Sequence, residues 1–209
     1  MTEEKFAALL SDYAESDHIS ESLLEAERRN LQFYGYGIKG FTLSMIETAI
    51  EITDDKVPAA VLHDILRAGR EMLRHPVETL PHARRTLMEL CGRYRLILIT
   101  KGDLFDQERK LAQSGLGELF DDVQIVSEKT TETYKRIFSN AGMAASTSMM
   151  VGNSLKSDVI PAIEAGSFGV HVPHDLTWVH EHADIPVDAP RYHSIEHLGE
   201  LPDLIEKLR

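Results

Sequence analysis

Leu96-Ile97-Leu98-Ile99-Thr100-Lys101-Gly102-Asp103 is the stretch on which the reading of the fold turns. Its first five residues are apolar or β-branched, too few for a helix, and Arg95 and Lys101 bound them. Such a run reads as a strand buried on both faces, which points to a parallel sheet. Asp103 stands where it caps a following helix. In open α/β sheets ligands gather where strands end in such loops, because a helix N-terminus presents free N–H groups to an anion. An ordinary strand-to-helix turn has the same pattern, so this stretch speaks to the fold class before it speaks to chemistry.

Working outward, helix and strand alternate on the C-terminal side. The pattern predicts a helix over 103–114 closed by Gly115, a strand over 123–126 and a helix over 131–140. A strand over 148–151 follows, then a helix closed by Gly166, a strand over 168–172 and an amphipathic helix over 194–208. Upstream, a helix opens at Pro81 and ends at Gly92. Alternation at this spacing implies right-handed parallel crossovers, hence an α/β domain over 76–209 with helices on both faces of its sheet.

Residues 1–75 contain helical patterns and no convincing strand, and read as a small helical domain. Phe6, Leu9, Leu10 and Tyr13 are helically spaced, and Leu43, Ile46 and Ile50 share a face. Ser22 and Glu25 have the spacing of a capping box for a helix running to about Tyr34. Asp55 and Pro58 open a longer helix that must stop before Pro76.

The composition, 43% apolar and 27% charged over 209 residues, is that of a globular protein. A net charge of −12 argues against nucleic acid or an anionic membrane as partner. No apolar run approaches the roughly 20 residues of a membrane span. One cysteine, Cys91, permits no internal disulfide and suits a reducing compartment, so a cytoplasmic protein is expected. Oligomeric state is open.

Two patterns are decoys. Gly35-Tyr36-Gly37-Ile38-Lys39-Gly40 matches a dinucleotide fingerprint letter for letter, but no buried strand precedes it. A joint between helices carrying Tyr36 and Lys39 is the better reading. His171, His174, His180 and His182 lie close together, yet without the i, i+4 spacing of a zinc site on one helix face.

Gly152-Asn153-Ser154-Leu155-Lys156-Ser157-Asp158 follows a strand, turns on a glycine and sets an amide and a carboxylate near a helix start. Oxygen donors of this type suit Mg²⁺, and helix capping by Asn153 or Ser157 accounts for them equally well. Taken with Ile99-Thr100-Lys101-Gly102 and Ser127-Glu128-Lys129, the pattern resembles the haloacid dehalogenase superfamily of hydrolases, most of which are phosphatases. The second family motif is a strand ending in Ser or Thr, matched by Thr100. The third is a lysine, matched best by Lys129 with Lys135 as the alternative. The fourth, G-D-x-x-x-x-D, is matched by Gly152 to Asp158 with Asn153 in place of the first Asp.

The resemblance implies a Mg²⁺-dependent phosphatase acting on a small phosphorylated molecule, with a helical cap. Thr100, with the N–H of Lys101 and with Gly102, would hold phosphoryl oxygens, and Lys129 would offset developing charge. Asp158 and Asn153 would bind or orient the metal, and Tyr36 and Lys39 would reach substrate from the cap. The first motif, D-x-D-x-T at the end of the sheet's central strand, has no counterpart in the 209 residues. Asp54-Asp55 follows no strand. The chain thus reads as N-terminally truncated relative to the family, without its central strand and nucleophile. The alternative is a non-catalytic remnant that binds phosphate or a partner.

Overall fold

The computed structural model describes residues 3–174, 183–186 and 188–208. Two compact units emerge: residues 1–77 with 102–113, and residues 78–101 with 114–209.

The first unit is helical: α1 (Glu3–Leu9), α2 (Ser16–Tyr34), α3 (Ile38–Ile52), α4 (Ala59–Arg74) and most of α6 (Leu104–Ser114). Phe6, Leu10, Ile19, Leu23, Met45 and Ile65 form its core, each no more than 2% exposed. The capping box expected at Ser22 and Glu25 is not a helix start. Helix α2 begins six residues earlier, at Ser16, and its N-cap residue Glu15 makes no side-chain cap bond. With no capping side chain to mark it, that start has no local signature. The glycine-rich segment is a joint between α2 and α3, not a nucleotide loop. Gly35 and Gly37 take φ of 65° and 123°, and a side chain on Gly40 would come within 2.9 Å of the Gly35 carbonyl.

The second unit is α/β. Its elements are α5 (Ala83–Leu90), β1 (Ile97–Lys101), β2 (Asp122–Val126), α7 (Thr131–Asn140) and β3 (Met149–Gly152). A π-helical turn (Leu155–Val159), α8 (Ile160–Glu164), β4 (Phe168–His171), β5 (Tyr192–Ser194) and α9 (Leu201–Lys207) complete it. Every strand pairing among the described residues is parallel. Ladders join β1 to β2, with Thr100 opposite Ile125, and β3 to β4 to β5, with Val151 opposite Val170. Between β1 and β3 the described residues form no ladder, so the strands make two sheets rather than one.

Helices nevertheless pack on both faces of β3. Met149 and Val151 of β3 pack with Leu96, Leu90 of α5 and Leu201 of α9. Met150, pointing the other way, packs with Ile99 of β1, Tyr134 and Phe138 of α7 and Ala162 of α8. The alternation is that of a strand with a helical layer on either side.

The Leu96 run is not buried on both faces: every residue of β1 is half-buried, because one edge has β2 and the other has no ladder. The amphipathic helix expected over 194–208 is instead the end of β5, a 3₁₀ turn (Leu198–Glu200) and the shorter α9. The expected helix start is taken by Tyr192-His193-Ser194, which extends the second sheet beside β4.

Candidate functional site

Three strand ends of the second unit carry the site. β1 closes with Thr100 and Lys101, β2 is followed by the loop carrying Lys129, and β3 runs into the turn ending at Asp158.

The Lys129 loop is fixed from both sides. Thr130 caps α7, its hydroxyl accepting from the Thr133 N–H at 3.2 Å. The Thr133 hydroxyl in turn donates to the Glu128 carbonyl at 2.9 Å. Lys129 is thereby aimed at Asp158, its Nζ lying 2.7 Å from Oδ1. The two side chains are 13% and 5% exposed, so this is a buried ion pair tying the end of β2 to the end of β3. Lys135 goes elsewhere: it sits on the exposed face of α7, 2.7 Å from Glu132.

The turn after β3 explains why Asp158 faces inward. The Ser154 carbonyl accepts from the N–H groups of both Asp158 and Val159, at 2.9 and 3.1 Å, which widens the first turn into a π-helix. The Ser154 hydroxyl caps that turn by accepting from the Ser157 N–H at 2.9 Å. Capping therefore falls to Ser154 rather than to Asn153 or Ser157. Oδ2 of Asp158 accepts from the Ser154 N–H at 3.1 Å. A side chain at position 152 would collide with the Asp158 carboxylate, so this close approach requires glycine there.

Three further residues join the cluster. The Lys101 ammonium donates to the Ser157 hydroxyl at 3.0 Å, linking the end of β1 to the turn after β3. Tyr134, wholly buried, donates its hydroxyl to the Ser157 carbonyl at 3.0 Å. His171, at the end of β4, lies with Nε2 3.1 Å from the Asn153 carbonyl. A carbonyl only accepts, so this contact requires the tautomer protonated at Nε2. Asn153 itself is exposed.

Of the residues singled out from sequence, Lys129 and Asp158 are brought into contact, and Lys101 reaches the same turn through Ser157. Ser154, Ser157, Tyr134 and His171 were not anticipated as a cluster. The Ser154–Ser157 spacing of three residues was a legible capping signal, whereas Tyr134 and His171 become visible only through tertiary packing. His180 and His182 lie outside the described residues.

In the first unit, Lys39 donates to Asp103 Oδ1 at 2.9 Å and stands 5.8 Å from the centre of the Phe105 ring. Asp103 also accepts from the Asp106 N–H at 3.0 Å, capping α6 as its position after Gly102 predicts. The Lys39 hydrogen bond, foremost, holds the Asp103 carboxyl below the usual carboxylate range. Gly102 takes φ of 140°, in the region that favours glycine, just before this cap. Tyr36 is half-buried in the α2–α3 joint.

The Mg²⁺ that the resemblance implies would meet few free donors at this cluster. Asp158 is the one carboxylate in the cluster, and both its oxygens are engaged, by Lys129 and by the Ser154 N–H. Among the described residues no group of three or more His, Cys, Asp or Glu stands close enough to hold a metal ion. Mg²⁺ is ordinarily held through free carboxylate oxygens, waters and substrate phosphates. These residues alone do not make its site.

No protein-family profile matches the sequence. A solved structure described as a haloacid dehalogenase-like family hydrolase from Xanthomonas campestris is 40% identical, with a TM-score of 0.87 over 99% of this chain and 82% of that one. A glyceraldehyde 3-phosphate phosphatase of Methanocaldococcus jannaschii is 31% identical over 136 residues, 62% of this chain and 57% of the relative. Its namesake from Methanothermobacter thermautotrophicus is 34% identical over 103 residues, 46% of each chain. The chain thus spans about half the length of these curated relatives.

Proposed function

The chain belongs to the haloacid dehalogenase-like hydrolases, and from that premise we propose that it serves a phosphatase reaction on a small phosphate monoester. The observation that carries the reading is the Lys129–Asp158 pair, which sets a lysine among three strand ends at 2.7 Å from a buried carboxylate. In this reading the Thr100 hydroxyl, the Lys101 N–H and the Gly102 turn bind phosphoryl oxygens. Lys129 offsets the charge that builds on them, an electrostatic role of the kind that dominates such transfers. Asp158 positions Lys129. Residues 1–75 act as a cap, from which Tyr36 and Lys39 reach the substrate, and 76–209 are the catalytic core. Because the curated relatives bear the name glyceraldehyde 3-phosphate phosphatase, a three-carbon phosphate monoester is the first substrate class to assay. The single cysteine, exposed and unpaired, fits the cytoplasm.

A nucleophile is the missing part. The 209 residues contain no D-x-D sequence. We place the strand that would carry one between β1 and β3, where the described residues form no ladder and both flanking strands are half-buried. An aspartate there attacks phosphorus and a second acts as general acid and base. Magnesium belongs to the family resemblance, and the described residues alone do not suffice to hold it.

The experiment is hydrolysis of p-nitrophenyl phosphate and glyceraldehyde 3-phosphate by two proteins: this chain, and one preceded by a strand ending in D-x-D. Turnover by the extended protein alone, lost by more than about 100-fold on Thr100→Val, is the expected result. Phosphate binding by both proteins with turnover by neither would favour the second reading, a non-catalytic phosphate-binding protein.

A further inference from the structure

We propose that Tyr134 is a positioning residue of this site: its hydroxyl takes the place of the N–H that Pro161 lacks, and so holds the turn that presents Asp158 to Lys129. That the pair serves turnover rests on the phosphatase reading. That Tyr134 positions the pair rests on geometry alone, and its test involves no turnover.

The turn after β3 carries a proline where a helix needs a donor. In an α-helical turn the Ser157 carbonyl would accept from the N–H four residues on, but that residue is Pro161, which has none. Another element supplies the donor. The Tyr134 hydroxyl, from α7, donates to the Ser157 carbonyl at 3.0 Å in a buried contact. A buried hydroxyl and a buried carbonyl each need a partner, and here they satisfy one another. Ser157 is thereby held on three sides: its N–H by the Ser154 hydroxyl, its own hydroxyl by the Lys101 ammonium, and its carbonyl by Tyr134. The next residue is Asp158.

Helix α7 therefore reaches the ion pair twice. The loop entering it carries Lys129, 2.7 Å from Asp158, and Tyr134 inside it grips the residue beside Asp158. The tyrosine ring is itself fixed, at 0% exposure, in a cluster with Phe138 and Ala162. With both attachments on one helix, the spacing of ammonium and carboxylate is set by α7 as well as by the two side chains. Loss of the hydroxyl keeps the ring packing and frees the π-helical turn to move relative to Lys129.

The test is nuclear magnetic resonance on the intact chain with ¹⁵N-labelled lysine. The Lys129 ammonium, buried against Asp158, should give a slowly exchanging signal, assigned by its loss in Lys129→Arg. In Tyr134→Phe that ammonium should exchange with water about tenfold faster, the equivalent of one hydrogen bond. Phe138→Leu, in the same cluster, should lower the melting temperature and leave the signal unchanged, which separates positioning from packing. Pro161→Ala supplies the missing N–H, and should restore slow exchange when added to Tyr134→Phe. Where Tyr134→Phe alone does not fold, the double variant is compared with Pro161→Ala, and equal exchange in the two is the expected result. A Lys129 signal unchanged in Tyr134→Phe, or accelerated equally in Phe138→Leu, overturns the proposal. So does acceleration that Pro161→Ala fails to repair, and so does an unaltered chain in which Lys129 exchanges as fast as the exposed Lys135.

Discussion

The helical unit and the α/β unit spend their buried space differently. In the first, Phe6, Leu10, Ile19, Leu23, Met45 and Ile65 close on one another at no more than 2% exposure. Its pairs of Lys39 with Asp103 and Arg29 with Glu51 lie toward solvent, and its one buried carboxylate pairing among the described residues, Asp106 with Arg109 and Lys110, stays within α6. In the second, β1 and β3 are half-buried strands while a lysine–aspartate pair occupies an interior position. Apolar side chains gain free energy wherever water is excluded, but a buried ion pair roughly breaks even against a hydrophobic replacement. The helical unit keeps its buried carboxylate paired within a single helix, whereas the α/β unit uses a buried ion pair to join two strand ends.

The sharpest way to break that contrast is to remove one charge. Lys129→Met leaves Asp158 buried and unpaired, and should destabilise the α/β unit by about 3–5 kcal/mol. Lys129→Met with Asp158→Asn should recover most of the loss, because the uncompensated charge is gone. Amide exchange over α7, β3 and α8 reads the α/β unit separately from the helical one. If the double variant is as unstable as the single one, the pair is ordinary packing and the contrast fails.

Truncations of apolar side chains come next. Leu10→Ala, at 0% exposure, should cost about 3 kcal/mol, within the range for closed cores. Ile99→Ala in β1 should cost less, about 2 kcal/mol, since that side chain packs on Tyr134, Phe138 and Ala162 but is not fully buried. Equal losses at both positions, measured by chemical denaturation, would mean that β1 is as tightly packed as the helical core.

That difference also marks what a sequence reader can and cannot see. The run 96–100 announces a strand through its β-branched and apolar residues, and Gly102-Asp103 announces the turn and cap that follow. Burial of that strand is not written locally, because it depends on which strand lies at each edge. Tyr192-His193-Ser194 is too short and too polar to read as a strand, and becomes one by pairing with β4. The pairing of Lys129 with Asp158, 29 residues apart, is likewise a product of strand order. In the glycine-rich joint the sequence carried both the decoy and its refutation, since no strand precedes Gly35.

A smaller effect separates the units by pH. Glu27, in α2, is pushed up to about 7, chiefly by burial and secondarily by the Glu3 carboxylate. An acid whose folded pKa is raised binds its proton more tightly when folded, so stability falls as pH rises from the unfolded value toward about 7. Because the group is only half-buried, Glu27→Gln should stabilise the helical unit by about 1 kcal/mol at about pH 8, after allowance for solvent screening. Near about pH 3, well below the ordinary glutamate value, where the carboxyl is protonated in both states, the gain should vanish. Exchange in α1 and α2 measures it. A gain of the same size at both pH values would assign the effect to helix propensity instead.

The smallest expected effect is at Lys39. Its pair with Asp103 is open to solvent, with side chains 53% and 31% exposed, so Lys39→Ala should cost only about 0.3 kcal/mol at neutral pH. Asp103→Ala should cost more, about 1 kcal/mol, because it also removes the cap that accepts from the Asp106 N–H of α6. The pH dependence distinguishes the two contributions. The Asp103 carboxyl is held below its ordinary range by Lys39, so its contribution is complete above the unfolded pKa and fades as pH falls through the lower folded value. Below that value, both substitutions should approach the unaltered protein in the exchange of the first turn of α6. If Lys39→Ala costs as much as Asp103→Ala at neutral pH, this pair is no solvated surface contact. The helical unit would then hold a charge pair that matters to its stability beyond the buried Asp106 of α6.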